Sequence, residues 1–216
     1  ARREAKRMMG GKRGGRESCK QEDINDTMVS LAKAGKHVVR LKGGDPMVFG
    51  RAGEEISRLR DENIAVSVVP GITSALAFAA QLGVSLTHRD HAQSVRFVTG
   101  HSRKGELPED INWSAVADEK TTTIFYMGKR TASKIRDRLL MEGMSETTPI
   151  SVVSGLCRAG EARWTGELID IEDGIAAIDT DEPVLIGVGD VFGAVQAQHG
   201  AFRQSAPAIE NAVGLR

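Results

Sequence analysis

Val38-Val-Arg-Leu-Lys-Gly-Gly-Asp-Pro-Met-Val-Phe-Gly-Arg-Ala-Gly-Glu-Glu55 is the stretch that decides the fold class, because it reads as a strand that ends in a sharp turn before a helix. Its two adjacent glycines allow positive φ and close approach of a ligand, while Pro46 holds Asp45 out of the α region. Ile56 and Leu59 mark the helix that follows. A glycine-rich turn is weak evidence on its own, so its surroundings decide its meaning.

The composition excludes several classes of protein. The 216 residues carry 29 basic and 29 acidic side chains, and this zero net charge argues against a protein that mainly coats nucleic acid. Cys19 and Cys157 lie too far apart to suggest a disulfide framework or a zinc site. No apolar run is long enough to cross a bilayer, and no apolar signal core follows the basic N-terminus. The sequence therefore predicts a soluble, cytoplasmic protein without a metal.

The first part of the chain repeats a strand, turn and helix pattern. A helix is predicted over 20–34, strands over 38–41 and 65–69, and a further helix over 74–81. Such units imply parallel strands, and ligands then gather at the carboxyl ends of the strands. Two glycine-containing turns at that edge could hold one small molecule between them.

The polar segment 86–94 separates this part from a second half with a different pattern. We place the domains at 1–90, 91–200 and a tail at 201–216. Strands are predicted over 94–100, 121–127, 150–153, 162–165 and 184–188, and Ile135 and Leu139 give the clearest helical stripe. His88 and His91 lack the further ligands that a metal site needs, so we expect them to form hydrogen bonds. The common hydrolase and nucleotide-binding motifs are absent, and the residues alone indicate an α/β protein of two lobes.

Four blocks together resemble the uroporphyrinogen-III C-methyltransferases, which are tetrapyrrole methylases. These blocks are Leu41-Lys-Gly-Gly-Asp-Pro-Met-Val-Phe-Gly-Arg-Ala-Gly-Glu-Glu55, Val69-Pro-Gly-Ile-Thr-Ser-Ala-Leu-Ala77, Leu86-Thr-His-Arg-Asp-His-Ala-Gln-Ser-Val95 and Thr99-Gly-His101. The resemblance runs from about residue 12 to about residue 191 in the expected order. The continuation after the Gly-Gly-Asp-Pro turn and the Thr-His-Arg-Asp block favour this branch over a methylase of a later precorrin.

The resemblance implies a tetrapyrrole methylase-like fold with two α/β lobes and the cofactor in the cleft between them. It implies transfer of methyl groups from S-adenosylmethionine to two ring carbons of uroporphyrinogen III, which gives precorrin-2 for sirohaem or cobalamin synthesis. The cofactor leaves as S-adenosylhomocysteine, and a homodimer is expected. Motif matches assign cofactor contacts to these residues: Gly43, Gly44, Asp45, Val48, Thr73, Ser74, Met127, Leu156, Cys157 and Gly187.

Chemistry and substrate binding are assigned in the same way. Lys12 occupies the Gly-Lys-Arg position to which the family assigns a proton donor. The substrate carries many carboxylates, so basic side chains are the expected partners. The candidates are Arg13, Arg16, Arg89, Arg96 and Lys129.

The sequence differs from the family at its N-terminal end. Members begin with a strand, a Gly-x-Gly-Pro-Gly-Asp turn and a helix, and a unit of this kind, on the order of 30 residues, is not present here. We therefore expect an incomplete member of the family, with the alternatives of a later-precorrin methylase or a catalytically impaired fragment. A nucleic-acid-binding module built on Arg2, Arg3, Lys6 and Arg7 is the alternative from a different class.

Overall fold

The structure is a computed structural model that describes residues 5–8, 20–102, 105–178 and 181–195. Contacts between Cα atoms divide the chain into two units, Ala1–Thr73 and Ser74–Arg216. The helix Ser74–Leu82 therefore groups with the second unit, and the division at residues 90 and 91 stays a prediction. The tail at 201–216 lies outside the described residues. In the described part, no helix combines the length and the apolar character that a bilayer crossing requires.

In the described residues of the first unit there are two helices, α1 (Gln21–Lys33) and α2 (Ala52–Asp61). Both form where helical spacing was predicted, and both carry acidic side chains in the first turn and basic ones in the last, as the helix dipole favours. Met28 and Val29 of α1 pack with Leu59 of α2 in a small apolar core, which Val38 and Ile64 also cover.

The strands predicted over 38–41 and 65–69 are not formed, and this prediction was wrong. Neither segment has a ladder partner among the described residues. Val39, Leu41 and Val69 are accordingly 66%, 73% and 82% exposed. Local sequence encodes the preference for extended backbone, but a strand also needs a neighbouring backbone to pair with. That partner cannot be read from the segment itself.

The second unit contains a five-stranded sheet. Its strands are β1 (Ser94–Thr99), β2 (Thr121–Tyr126), β3 (Pro149–Ser154), β4 (Ala162–Glu167) and β5 (Val184–Val188). The order across the sheet is β1-β2-β5-β3-β4. Only the β1–β2 pair is parallel, and the other three pairs are antiparallel. The five strand positions are confirmed, whereas the expectation of parallel strands, made for the first part of the chain, does not describe this sheet.

Helices cover both faces of this sheet. The helices of the unit are α3 (Ser74–Leu82), α4 (Trp113–Val116), α5 (Ala132–Met141) and α6 (Ile171–Ile178). One face packs Phe125 and Ile186 against Ile135 and Leu139 of α5, which confirms the helical stripe. On the other face, Phe78 of α3 meets Phe192 edge to face, with ring centroids 5.7 Å apart.

Candidate functional site

The glycine loop, residues 43–50, is closed by the carboxylate of Asp45. One oxygen of Asp45 accepts a hydrogen bond from the Met47 amide at 2.8 Å, and the other accepts one from the Gly71 amide at 2.9 Å. Gly44 has φ of 72°, a conformation that glycine adopts without strain. Asp45 thereby ties the Gly-Gly-Asp-Pro turn to the Pro70-Gly71 turn, 26 residues away.

The two turns approach each other so closely that a side chain does not fit between them. A Cβ placed on Gly71 would lie 2.4 Å from the Gly44 carbonyl oxygen, far inside van der Waals contact. A Cβ on Gly43, in contrast, would meet no heavy atom within 4 Å. The space beside Gly43 is therefore open, and the contact of Gly43 with a cofactor stays a prediction. Val48 lies half-buried on the same loop.

Glu55 is a buried carboxylate behind the glycine loop. Lys42 Nζ lies 2.7 Å from one of its oxygens, while Gln21 Nε2 at 3.0 Å and Arg40 Nε at 3.3 Å approach the other. Burial acts to raise the pKa of Glu55, but the hydrogen bonds from Lys42 and Gln21 and the charges of Lys42 and Arg40 outweigh it, so the pKa is lowered from 4.5. Glu55 is therefore ionised at neutral pH.

In the second unit, three turns lie at one edge of the sheet. The register pairs Thr99 with Tyr126, Tyr126 with Leu185, and Leu185 with Val153. The chain leaves β1, β2 and β3 at this same edge. It does so through the turns 100–101, 127–128 and 155–157, which contain the predicted residues Met127, Leu156 and Cys157.

Met127 and Gly128 form the central turn. Met127 has φ of 59° and is 49% exposed, an unusual conformation for a residue with a side chain. Gly128 is buried, and a Cβ on Gly100 would come within 2.6 Å of its Cα. Thr131 fixes this contact by donating its hydroxyl to the Gly100 carbonyl oxygen at 2.6 Å. The methionine side chain is thus presented from a rigid backbone.

Ser74 begins α3 beside the end of β2. The next amide, that of Ala75, donates to the phenol oxygen of Tyr126 at 2.9 Å, which holds the start of the helix against the Tyr126 side chain. Gly187 lies within β5, where a Cβ would be 2.4 Å from Phe192 and 2.8 Å from Phe78. The geometry gives Gly187 a packing role, and its contact with a cofactor stays a prediction.

Leu156 and Cys157 follow Gly155 in the turn after β3. Cys157 is exposed, has φ of 59° and donates its amide to the Glu161 carboxylate at 2.7 Å. Leu156 is half-buried. Both residues lie at the same edge of the sheet as Met127, and their cofactor contacts stay predictions.

The candidate substrate residues do not all come together. Lys129 lies two residues after Met127, in a short 3-10 turn (Lys129–Thr131). Arg89 is exposed in the turn before β1, at the opposite edge of the sheet. Arg96 lies early in β1 and helps to lower the pKa of Asp118, after the larger effects of hydrogen bonds from Lys120 and Thr121. Lys12, Arg13 and Arg16 lie outside the described residues.

The histidine pair lies in the same turn as Arg89. The His88 and His91 rings are 4.7 Å apart, and His88 Nδ1 accepts a hydrogen bond from the Asp90 amide at 3.2 Å, which agrees with the expected hydrogen-bonding role. No set of three His, Cys, Asp or Glu side chains is grouped to hold a metal in the described ranges.

A cavity of about 160 Å³ lies at the edge opposite to Met127. Thr121, Pro149 and Gly189 line it, at the starts of β2 and β3 and just beyond the end of β5. None of the predicted cofactor residues contributes to it, so it does not belong to the site outlined above.

Two residues of this arrangement were not among the predicted site residues. Tyr126 anchors α3, and Gly100 makes room for Gly128. Tyr126 is the only tyrosine of the sequence and ends a strand of threonine and apolar residues, which was a usable signal. Gly100 lies in the quoted Thr99-Gly-His101 block, but its partner is 28 residues away and depends on the register of β1 and β2.

Residues 2–172 match the family described as tetrapyrrole (corrin/porphyrin) methylases. The chain belongs to this family. The match confirms the resemblance on which the sequence-based assignment rested, and it confirms the fold class.

Curated relatives of this tetrapyrrole methylase are longer proteins. A siroheme synthase of Edwardsiella ictaluri is 48% identical over 191 residues, which are 88% of this chain and 40% of the relative. Siroheme synthase 2 of Yersinia enterocolitica is 44% identical over 190 residues, 88% of this chain and 39% of the relative. The chain thus spans about two fifths of the length of these relatives.

Solved structures of two methylases share the fold. Uroporphyrin-III C-methyl transferase from Thermus thermophilus, complexed with S-adenyl homocysteine, has a TM-score of 0.70 and 34% identity over 82% of this chain and 76% of that one. A cobalt precorrin-4 methyltransferase of cobalamin biosynthesis also has a TM-score of 0.70, with 27% identity over 82% of this chain and 72% of that one.

Proposed function

We propose that this tetrapyrrole methylase transfers methyl groups from S-adenosylmethionine to two ring carbons of uroporphyrinogen III and so forms precorrin-2. The observation that carries the proposal is the glycine loop, in which Asp45 holds two turns together and leaves the Gly43 backbone open. The Thermus thermophilus relative with bound S-adenyl homocysteine supports the choice of cofactor.

The residues of the two units take separate parts in binding the cofactor. In the first unit, we assign the contacts to the backbone of Gly43, Gly44 and Asp45 and to Val48 and Thr73. In the second unit, we assign them to Ser74, Met127, Leu156, Cys157 and Gly187. An open glycine backbone offers amides to polar groups, and the exposed Met127 thioether offers a soft apolar surface.

The methyl transfer requires little of the protein beyond alignment of the methyl donor and its acceptor. The cofactor supplies a methyl group that its sulfonium already makes electrophilic, so the protein aligns donor and acceptor, excludes water and manages one proton for each transfer. We assign that proton to Lys12. Arg13, Arg16, Arg89, Arg96 and Lys129 are the proposed partners of the substrate carboxylates. Since Arg89 and Lys129 lie at opposite edges of the sheet, Lys129 is the better candidate for a group near the methyl donor.

Calorimetry with S-adenosylhomocysteine, followed by an assay with uroporphyrinogen III, tests the proposal. We expect saturable one-site binding and a methylated, red-fluorescent product that incorporates label from the cofactor methyl group. Absence of binding by the folded protein would refute the cofactor assignment. Binding without turnover would instead support the alternative of a catalytically impaired fragment.

A methylase of a later precorrin is the second candidate function. The likeness to the cobalt precorrin-4 methyltransferase supports it. Competition separates the two candidates: turnover of a later precorrin, with no turnover of uroporphyrinogen III, would select the second.

A nucleic-acid-binding module predicts instead an affinity for DNA that falls steeply with salt and is lost when Lys6 and Arg7 are neutralised.

We further propose that the protein is a cytoplasmic homodimer. Sedimentation equilibrium of the purified protein tests the dimer, and cell fractionation tests the location.

A further inference from the structure

The buried carboxylate of Glu55 has contacts that reach beyond its own helix. The Glu55 side chain is 6% exposed, and that of Lys42, its partner at 2.7 Å, is 11% exposed. Arg40 and Gln21 hold the second oxygen, so both oxygens have donors. These donors come from the end of the segment before the glycine loop and from the start of α1.

Lys42 contacts the glycine loop at both of its ends. It is the residue directly before Gly43, so its position sets where the loop begins. A Cβ on Gly50 would lie 3.3 Å from Lys42 Cε and 2.5 Å from the Pro46 carbonyl oxygen. The aliphatic part of the Lys42 side chain therefore runs beside Gly50, where the loop ends. The Glu55–Lys42 ion pair thus fixes both ends of the glycine loop.

We propose that Glu55 is a positioning residue that holds the glycine loop in its ligand-binding conformation through Lys42, an inference that rests on the proposed function. Without the carboxylate, the Lys42 ammonium would be buried without its counter-ion, a costly state that the side chain escapes by turning to solvent. Its stem would then leave Gly50, and the loop would lose its support at both ends.

Glu62 provides a matched control on the same helix. It lies just past the end of α2 and pairs with Lys33 of α1 and with Arg58, so it also joins the two helices of the first unit. Its ion-pair partners, Lys33 and Arg58, both lie outside the glycine loop. If Glu55 only stabilised the helix pair, neutralising either glutamate would have the same kind of effect.

The test compares Glu55→Gln, Glu62→Gln and wild type, each as the complete purified protein. Affinity for S-adenosylhomocysteine is measured by calorimetry, and hydrogen exchange is measured on a peptide covering residues 43–50. For Glu55→Gln we expect roughly tenfold or greater loss of affinity and faster exchange in the loop, since removing one partner of a buried pair is costly. For Glu62→Gln we expect both quantities to remain within about twofold of wild type.

If Glu55→Gln folds poorly, Lys42→Met removes the same ion pair from its other side and tests the same proposal. Because both residues act through one contact, the Glu55→Gln/Lys42→Met double variant should lose no more affinity than the worse single variant. Additive losses, equal effects of Glu55→Gln and Glu62→Gln, or unchanged loop exchange in Glu55→Gln would each overturn the proposal. If wild type does not bind S-adenosylhomocysteine, the proposed function fails, and the exchange comparison alone decides whether Glu55 holds the loop.

Discussion

Asp45 illustrates how one side chain can hold two turns of the chain together. Both carboxylate oxygens are engaged by backbone amides, those of Met47 and Gly71. The sequence predicted the bend at this point, because adjacent glycines and a following proline restrict the backbone in a known way. It could not predict the bond to Gly71, since that partner depends on where two loops meet in space.

We expect Asp45→Asn to weaken binding of S-adenosylhomocysteine by roughly tenfold or more, because hydrogen bonds to a charged acceptor contribute about 1.5–3 kcal/mol each. The amide keeps one acceptor oxygen but turns an NH₂ group toward the other backbone N–H. Calorimetry measures the change, with Asp61→Asn on exposed surface as the control. Equal affinity of Asp45→Asn and wild type would show that the two hydrogen bonds to Asp45 do not shape the loop.

Gly71→Ala tests the close approach of the two turns. The new Cβ would lie 2.4 Å from the Gly44 carbonyl oxygen, so one turn has to move, and we expect a lower midpoint of thermal unfolding together with weaker ligand binding. Gly53→Ala is the control, because its Cβ meets nothing within 4 Å and alanine favours the α2 helix. A Gly71→Ala protein as stable as the Gly53→Ala protein would contradict this packing.

At the scale of the elements, prediction succeeded where local pattern and burial agree. All five strands of the sheet were found because they combine apolar residues with turn signals, and β2 and β5 are buried throughout. The segments 38–41 and 65–69 have the same apolar character but no ladder partner among the described residues. Strand order and direction depend on tertiary pairing, so the mixed sheet could not be derived from the pattern.

We expect Gly187→Ala to destabilise the packing of α3 on β5. Its methyl group would overlap the Phe192 and Phe78 rings, and overpacking of this kind costs about 1–3 kcal/mol. Urea unfolding measures the loss. Gly193→Ala is a suitable control, since its Cβ would make an ordinary 3.6 Å contact with Pro149. Partial recovery in Gly187→Ala/Phe192→Leu would identify the phenyl ring as the obstacle.

Glu55 should make the stability of the first unit depend on acid. Its pKa is lowered in the folded protein from 4.5, so its stabilisation is complete above that value and is lost as the pH falls through the folded pKa. We expect the difference in unfolding free energy between wild type and Glu55→Gln to be constant near neutral pH and to shrink below about pH 4.5. Denaturant titrations at several pH values measure it, and a difference that does not shrink at all below pH 4.5 would show that it does not depend on ionisation of Glu55.

For the whole molecule, we expect protection from hydrogen exchange to follow the backbone pairing. Amides of β2 and β5, which lie inside the sheet and are fully buried, should exchange most slowly. Amides of residues 65–69, which have no ladder partner in the described chain, should exchange within roughly seconds. Mass spectrometry of peptic peptides resolves the two groups. Strong protection of residues 65–69 would show that another backbone pairs with them in solution.

The alignment of three turns at one edge of the sheet also bears on how such proteins diversify. The ladder hydrogen bonds of β1, β2 and β3 end at Thr99, Tyr126 and Ser154, just before the turns begin. Apart from Gly100 and Gly128, which pack closely against each other, residues in these turns can be exchanged without altering strand register. New substrate preferences can arise from changes in these turns while the sheet stays the same. Exchanging the turns between methylases is therefore a practical route to redesign.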